Sequence, residues 1–319
     1  MLDLTVIVPL LNEEESLPEL AAWINRVATE HKYAYEVIFV DDGSTDSSWD
    51  VIQSIAQQNP NVKGIKFQRN YGKSAALNEG FLAAKGKVVV TMDADLQDSP
   101  EEIPEFMHMI LNEKYDLVSG WKKKRFDNKL TKNLPSKFFN GVTSKMSGIK
   151  LHDFNCGLKA YNNKVVKNVE VYGEMHRYIP VLAKNAGFKK IGEKVVQHQA
   201  RKYGVSKFGW NRFVNGFLDL LTVQFVGKFG KKPMHFFGLF GALIFLVGFL
   251  FILYLSICKV IYWEDYSVST RPPFYIALTM VIMGTMFFLA GYLAELIVRN
   301  APERNHYAID EKLRVGGGL

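Results

Sequence analysis

The sequence predicts an α/β fold: a mostly parallel sheet with helices on both faces, followed by an interfacial amphipathic helix and two transmembrane helices. Three observations predict it. Short apolar runs at residues 5–8, 36–40, 62–67, 88–92 and 116–119 alternate with segments of helical length, the pattern of strands joined by crossover helices. A polar cluster follows each of the first four runs, and ligands of an open α/β sheet bind at that end of the strands. The C-terminal third holds two long apolar stretches, 236–258 without a charge and 274–294 likewise, each long enough to span a hydrocarbon core of about 30 Å.

Each element has its own signals. The first strand opens into Pro9-Leu10-Leu11-Asn12-Glu13-Glu14, and Ser16 is placed to cap a helix to about Thr29. The second ends in Asp41-Asp42-Gly43-Ser44-Thr45-Asp46, with a helix capped by Asp46 or Ser47 running to about Gln58. The third leads into Arg69-Asn70-Tyr71-Gly72-Lys73-Ser74 and a helix to about Ala84, with Gly86 as its stop. The fourth runs into Asp93-Ala94-Asp95, with Gln97 and Asp98 close behind. Ser99, Pro100 and Glu102 then have the spacing of a capping box. After the fifth strand the chain turns basic at Lys122, Lys123, Lys124, Arg125, Lys129, Lys132 and Lys137. Residues 151–161 mix His152, Asp153, Asn155 and Lys159 into an apolar setting. A helix is expected from Glu174 to about Ala186, and residues 195–199 read as a strand. Residues 201–209 form a basic, glycine-punctuated loop with Arg201 and Lys207.

The 319 residues carry a net charge of +7, which points to an anionic partner: phosphate, nucleic acid or membrane surface. Cys156 and Cys258 lie in regions of very different character, so no disulfide framework is implied. The N-terminal segment lacks a basic n-region, and no signal peptide is expected. Lys228, Lys231 and Lys232 precede the first span and Arg299 and Arg304 follow the second. By the positive-inside rule both flanks are then cytoplasmic, and 259–273, with Tyr262 and Trp263, is a short outside loop. The expected plan is a cytoplasmic domain at 1–209 and an amphipathic juxtamembrane segment at 210–233, with apolar Phe213, Phe217, Leu220, Leu221 and Phe225. Two spans follow within 234–299, at about 236–258 and 274–298, and then a cytoplasmic tail at 300–319. Gly238, Gly241, Gly248, Gly284 and Gly291 permit close helix approach, and a homo-oligomer is one use of it.

The chemistry centres on Asp93 and Asp95. Alternate residues of an extended segment point the same way, so both carboxylates can converge on one hard cation, Mg²⁺ or Mn²⁺, leaving positions free for substrate phosphates. Taken alone, Asp-x-Asp is also the make-up of an acidic surface turn, and its neighbours decide. Asn70, Gly72 and Lys73 precede a helix, a natural anion site. The spacing is not that of a phosphate loop, and no Gly-x-Gly-x-x-Gly follows the first strand, which argues against an NTPase and a dinucleotide enzyme. His152 and His176 read as packing or hydrogen-bonding residues. Glu174 suits a helix start, and Arg177 either binds phosphate or braces Glu174.

Taken in order, residues 9–14, 41–46, 69–76, 93–98, 153–161 and 201–207 resemble the family 2 (GT-A fold) glycosyltransferases. Within that family the chain is most similar to the polyprenyl-phosphate hexosyltransferases, the group of dolichol-phosphate mannose synthase and the bactoprenol glucosyltransferases, and the two spans match the bactoprenol branch. The resemblance implies that Pro9, Leu10, Asn12, Glu13, Lys73 and Ala94 contribute to the nucleotide-sugar site, and that Asp41 or Asp42 bonds the base, uracil. Asp93, Asp95 and Gln97 would hold Mg²⁺ or Mn²⁺ and the diphosphate. Lys122, Arg125, Lys159, Arg201 and Lys207 would face the acceptor phosphate. The family often has arginine at Lys122 and Lys159, and lysine loses the bidentate fork. Asp153 is the candidate base or orienting group beside Asp93 and Asp95, or else a structural carboxylate.

The implied reaction is metal-dependent, inverting transfer of a hexose from a nucleotide sugar to undecaprenyl phosphate at the cytoplasmic membrane face. The donor would be UDP-linked, with GDP-mannose as the other choice. A lipid monophosphate has a second pKa near 6 and is already largely anionic at neutral pH, so it needs no strong base. A site that must hold two anions accounts for acidic and basic groups together without nucleic acid. Two alternatives differ in kind. A processive polysaccharide synthase would carry Gln-x-x-Arg-Trp where this chain has Glu174-Met175-His176-Arg177-Tyr178. An inactive membrane-bound nucleotide-binding scaffold would not need Asp93 and Asp95 intact.

Overall fold

A computed structural model describes residues 2–123, 140–141, 143–199, 202, 222–223, 225–230, 232–262, 267–268 and 271–300. They fall into two compact units, one within Met1–Gln224 and the other within Phe225–His306.

The first unit follows the predicted alternation. Its elements are β1 Leu4–Leu10, α1 Leu17–Glu30, β2 Tyr35–Asp41, α2 Ser48–Gln58, β3 Val62–Lys66, α3 Lys73–Ala83, β4 Val88–Thr91, α4 Ile103–Leu111, β5 Leu117–Trp121, β6 Lys159–Asn162, α5 Asn163–Val166, α6 Ile179–Asn185 and β7 Ile191–Val195. Among the described residues the seven strands form one sheet in the order β3-β2-β1-β4-β6-β5-β7. β1 lies parallel to β2 and β4, β2 to β3, and β5 to β7. β6 is antiparallel to both β4 and β5. The strand order reverses at β1 and β4, a topological switch point. The sheet is buried on both faces because alternate side chains enter opposite layers. Val6, Val8 and Phe39 pack with α1 and α4 residues such as Ile24 and Phe106. Ile7 and Ile38 pack in a second layer with Leu77, Phe81, Tyr161 and Tyr178.

Several local expectations are corrected. β6 was not foreseen as a strand. The strand expected at 195–199 lies earlier, at Ile191–Val195; the residues after it bond to the loop beyond β4 instead, Gln199 N–H donating to Gln97 O at 3.0 Å. The helix expected from Glu174 is a 3₁₀ turn at Met175–Arg177 followed by α6, whose Pro180 suits a first helical turn because it has no N–H to satisfy. Ser16 does not cap α1 through its side chain; its hydroxyl donates to Glu13 O at 3.0 Å. The capping box closes by half. Ser99 Oγ accepts from Glu101 N–H at 3.3 Å, but the Glu102 carboxylate pairs with Lys194 and takes Gln197 N–H at 2.9 Å.

The second unit is a pair of helices, α7 Met234–Ile261 and α8 Pro272–Asn300, both long and apolar enough to cross a membrane. They pack through the glycines. A Cβ at Gly241 would lie 2.6 Å from Phe288 N and 2.7 Å from Gly284 O, and one at Gly248 would lie 2.8 Å from Ala277 O. The glycines that the sequence offers for self-association are therefore taken up inside the hairpin, while Leu246, Leu250, Phe288 and Leu293 are exposed. Most of the expected amphipathic segment at 210–233 lies outside the described residues.

Candidate active site

The loops after β1 and β2 are laced together. Asn12, with φ of 57°, donates its N–H to Ser44 Oγ at 2.9 Å and accepts Thr45 N–H at 2.8 Å. Glu13 N–H donates to Ser48 Oγ at 2.9 Å. Pro9 and Leu10 are buried in β1 beneath this loop pair, and Asn12 is exposed. Asp41 ends β2 fully buried; its Oδ1 accepts Ser44 N–H at 2.8 Å, and its Oδ2 is buried without a hydrogen-bond partner. Asp42 turns the other way and takes the N–H groups of Tyr71 at 2.7 Å and Gly72 at 2.9 Å. Burial raises the Asp42 pKa, against the pull of those two donors. The two aspartates offered for one role thus differ: Asp42 is committed to the β3–α3 loop, and Asp41 keeps one buried oxygen without a hydrogen-bond partner.

β4 delivers the central carboxylates. Asp93, half-buried, forms an ion pair with Lys73 at the start of α3. Burial opposes its ionisation, but the charges of Lys73, Lys122 and Lys159 outweigh this and hold the carboxyl well below the usual carboxylate range. Asp95 is 6% exposed and its Oδ1 accepts Gln97 N–H at 3.1 Å. Between them Leu96 is held at φ 60°, a conformation that costs a residue with a Cβ roughly 1–2 kcal/mol and is typical of functional loops. Ala94 is buried beside them. Asp98, fully buried, accepts Asp93 N–H at 3.3 Å and pairs with Lys122 at 2.7 Å. Burial works against the Lys122 charge, yet Asp98 makes its proton harder to remove than an ordinary lysine's.

β6 brings the other half of the site, because its antiparallel run sets Lys159 opposite Thr91. Lys159 is 3% exposed and its ammonium donates to the Cys156 carbonyl. Burial pulls its pKa below that of an ordinary lysine, and burial pushes the neighbouring Cys156 thiol up to about 12, which leaves it inert. Gly157 fits against Asp93 without a side chain: a Cβ there would lie 2.6 Å from Asp93 Oδ2. Asp153 is buried, and its Oδ1 accepts Asn155 N–H at 3.1 Å.

Sequence reasoning missed what holds this loop. Glu193 on β7 accepts His152 N–H at 2.7 Å and Asp153 N–H at 3.0 Å on Oε1, and its Oε2 lies 2.7 Å from His152 Nδ1. Trp121 stacks on the His152 ring at 4.0 Å. A single glutamate in an edge strand gives no sequence signal. His176 lies 3.1 Å from Ser74 Oγ through Nδ1, and Arg177 braces Glu174 at 3.6 Å. Arg125, Arg201 and Lys207 lie outside the described residues.

The donor set suits a hard divalent cation: two aspartates and the amide of Gln97, with no thiolate or imidazole. Among the described residues no three His, Cys, Asp or Glu side chains gather to hold a metal. Substrate phosphate oxygens would have to complete the coordination, which is how Mg²⁺ is usually held at phosphate sites.

Comparison with known proteins shows the family and the fold. Residues 5–170 match Glycosyl transferase family 2. The chain is 35% identical over 300 residues to the dodecaprenyl-phosphate galacturonate synthase of Rhizobium johnstonii, covering 93% of this chain and 88% of that one. It is 34% identical over 296 residues to the undecaprenyl-phosphate 4-deoxy-4-formamido-L-arabinose transferase of Shewanella sediminis, covering 92% and 87%. The fold also resembles glucosyl-3-phosphoglycerate synthase from Mycobacterium tuberculosis, solved with Mn²⁺, uridine diphosphate and glucosyl-3-phosphoglycerate. That match has a TM-score of 0.53 and 18% identity over 71% of this chain and 80% of the other. Strand-end motifs, a mostly parallel sheet and relatives that cover nearly the whole chain lead to one conclusion: the protein belongs to glycosyl transferase family 2 and is a glycosyltransferase.

Proposed function

We propose that this enzyme transfers a hexose, with inversion, from a UDP-linked sugar to the phosphate of undecaprenyl phosphate at the cytoplasmic face of a membrane. The observation that carries the reading is the interleaving of Asp93 and Asp98 with Lys73, Lys122 and Lys159. A site of this kind is built to hold two anions close together. Both relatives named above are, by name, enzymes of polyprenyl-phosphate acceptors, and the paired apolar helices suit a lipid substrate.

In this reading Pro9, Leu10, Asn12, Glu13 and Asp41 line the nucleotide pocket, and Lys73 and Ala94 border the diphosphate. Asp93, Asp95 and Gln97 hold Mg²⁺ or Mn²⁺, which when bound neutralises charge on the departing diphosphate. Lys122 and Lys159, with Arg125, Arg201 and Lys207, receive the acceptor phosphate. An acceptor oxygen attacks the anomeric carbon from the face opposite the leaving group. The bond from that carbon to the diphosphate breaks, its electron pair leaving with the nucleotide. The acceptor is already anionic, so no strong base is required, and Asp153 orients the basic groups beside it.

The test is incubation of membranes with a panel of UDP- and GDP-sugars, Mn²⁺ and undecaprenyl phosphate. A charged glycolipid is expected with a UDP-sugar, and none with Asp95→Ala of unchanged thermal stability. Full activity in that variant would remove the metal assignment. Nucleotide binding without transfer to any acceptor would leave a scaffold, and a growing polymer would mark a processive synthase.

A further inference from the structure

Ser119 on β5 stands in the middle of a cross-strand row. Lys159 on β6 lies opposite it on one side and Glu193 on β7 on the other, and residues paired in this way share one face of the sheet. The loop that leads into β6 folds over this row. Ser119 Oγ donates to Asp153 O at 3.3 Å, and Gly120 N–H donates to Leu158 O at 2.9 Å. Glu193 holds the start of the loop. Its side chain is 11% exposed. Its Oε1 takes two consecutive N–H groups, those of His152 and Asp153, while its Oε2 meets His152 Nδ1. Trp121, the neighbour of Lys122, stacks on the His152 ring with the planes 10° apart.

The loop so held serves Lys159 in two ways. The buried Lys159 ammonium donates to the Cys156 carbonyl. Burial disfavours its charge, and the charge of Asp153 supports it. Both aids come from residues 153–156, and a buried ammonium depends on such partners. A shift of the loop backbone would therefore disturb Lys159, although Glu193 itself is two strands away.

We propose that Glu193 is a positioning residue for the transfer reaction: by fixing the backbone of His152 and Asp153 it sets Lys159 for the acceptor phosphate. The inference rests on the acceptor role given to Lys159 above. What this task requires of Glu193 is reach and an accepting oxygen, not charge. A glutamine keeps an oxygen for both N–H groups. An aspartate keeps the charge but stops one methylene short. Were Glu193 to act through its charge, the two substitutions would rank the other way.

The experiment measures transfer by the full-length protein in detergent over a range of undecaprenyl phosphate concentrations, and UDP binding by calorimetry with Mn²⁺. Glu193→Asp is expected to lower kcat/KM for the lipid on the order of 100-fold, the effect of a misplacement of about 1 Å, with UDP affinity unchanged. Glu193→Gln is expected to transfer as the native protein does. Combined with Asp153→Asn, Glu193→Asp is expected to cost less than the product of the two single losses, since both act on one network. Should Glu193→Asp fail to fold, Ser119→Ala removes the hydroxyl bond to the Asp153 backbone and is expected to lower the same kcat/KM, again with native UDP affinity. Native kcat/KM in the variant that folds overturns the proposal. So does a loss in Glu193→Gln equal to that in Glu193→Asp, a matching loss of UDP affinity, or a double variant at the full product. In each of these cases the native protein still makes glycolipid and the functional reading stands. A native protein that makes none from any UDP- or GDP-sugar overturns that reading and the role of Glu193 with it.

Discussion

The ammonium of Lys122 lies 2.7 Å from the Asp98 carboxylate, whereas that of Lys159 rests on the carbonyl of Cys156. Both lysines are largely buried, and their pKa values move in opposite directions. The Lys122 value is raised on folding, so its pairing stabilises the protein throughout the pH range below the ordinary lysine value of 10.5 and is lost only above it. The Lys159 value is lowered, so its charge costs stability at neutral pH and that cost lifts as pH rises towards 10.5. Lys122→Met should therefore destabilise the protein by about 3–5 kcal/mol, the usual result of leaving a buried charge unpaired. Lys159→Met should hold or raise the melting temperature at pH 7, with an advantage that shrinks by pH 10, while transfer is lost. Thermal unfolding in detergent at the two pH values checks both. At this scale the residue types were legible: Asp93, Asp95, Lys122 and Lys159 stand out because strand ends rarely collect so much charge. Their pairing was not, because Lys73 and Asp93, or Asp98 and Lys122, are joined by the crossovers and not by sequence spacing. Glu193 and Gly157 were invisible for the same reason, since what each does depends on a neighbour far along the chain.

Elements were legible where both faces are buried. β1, β2 and β4 are fully covered, and a strand of that kind reads as an unbroken apolar run. β6, Lys-Ala-Tyr-Asn, carries a site lysine and a capping asparagine in four residues and has no such run. β7 is half-exposed at the sheet edge, so its Ile-Gly-Glu-Lys gave a weaker signal than the apolar pair Val195-Val196 at its end. The loop before β6 depends on backbone fit. Gly157→Ala should displace the Asp93 carboxylate and cut Mn²⁺ affinity along with transfer, which paramagnetic resonance of free Mn²⁺ would register. In the helical hairpin, Gly284→Leu must push the helices apart, because even a Cβ at that position would lie 2.7 Å from Gly241 O. A loss of about 1–3 kcal/mol, the usual range for overpacking, is expected on unfolding in detergent, with no loss for Leu250→Ala on the exposed face.

At the scale of the whole molecule, hydropathy marked both long helices within a few residues, since length and absence of charge are properties of the sequence itself. Orientation rests on the flanking lysines and arginines. With Cys156 and Cys258 replaced, a cysteine at Ser267 should react with an impermeant maleimide added to intact cells, and one at Thr45 only after lysis. The reverse pattern would turn the protein over in the membrane. The placement of β6 also bears on how the chain is made. As it leaves the ribosome, β1 to β4 can assemble as soon as residue 91 is free, because their pairings are with one another. β4 then presents its open side until residues 159–162 arrive. At about 5–20 residues per second this is a delay of roughly 4–14 s, during which Val88-Val89-Val90 forms an apolar, unpaired edge of the kind that recruits other strands. The strand that later carries Lys159 into the site is thus also the stopper for that edge. Mutations that slow the pairing of β6 should lower the yield of soluble or membrane-inserted protein more than they lower the stability of what does fold.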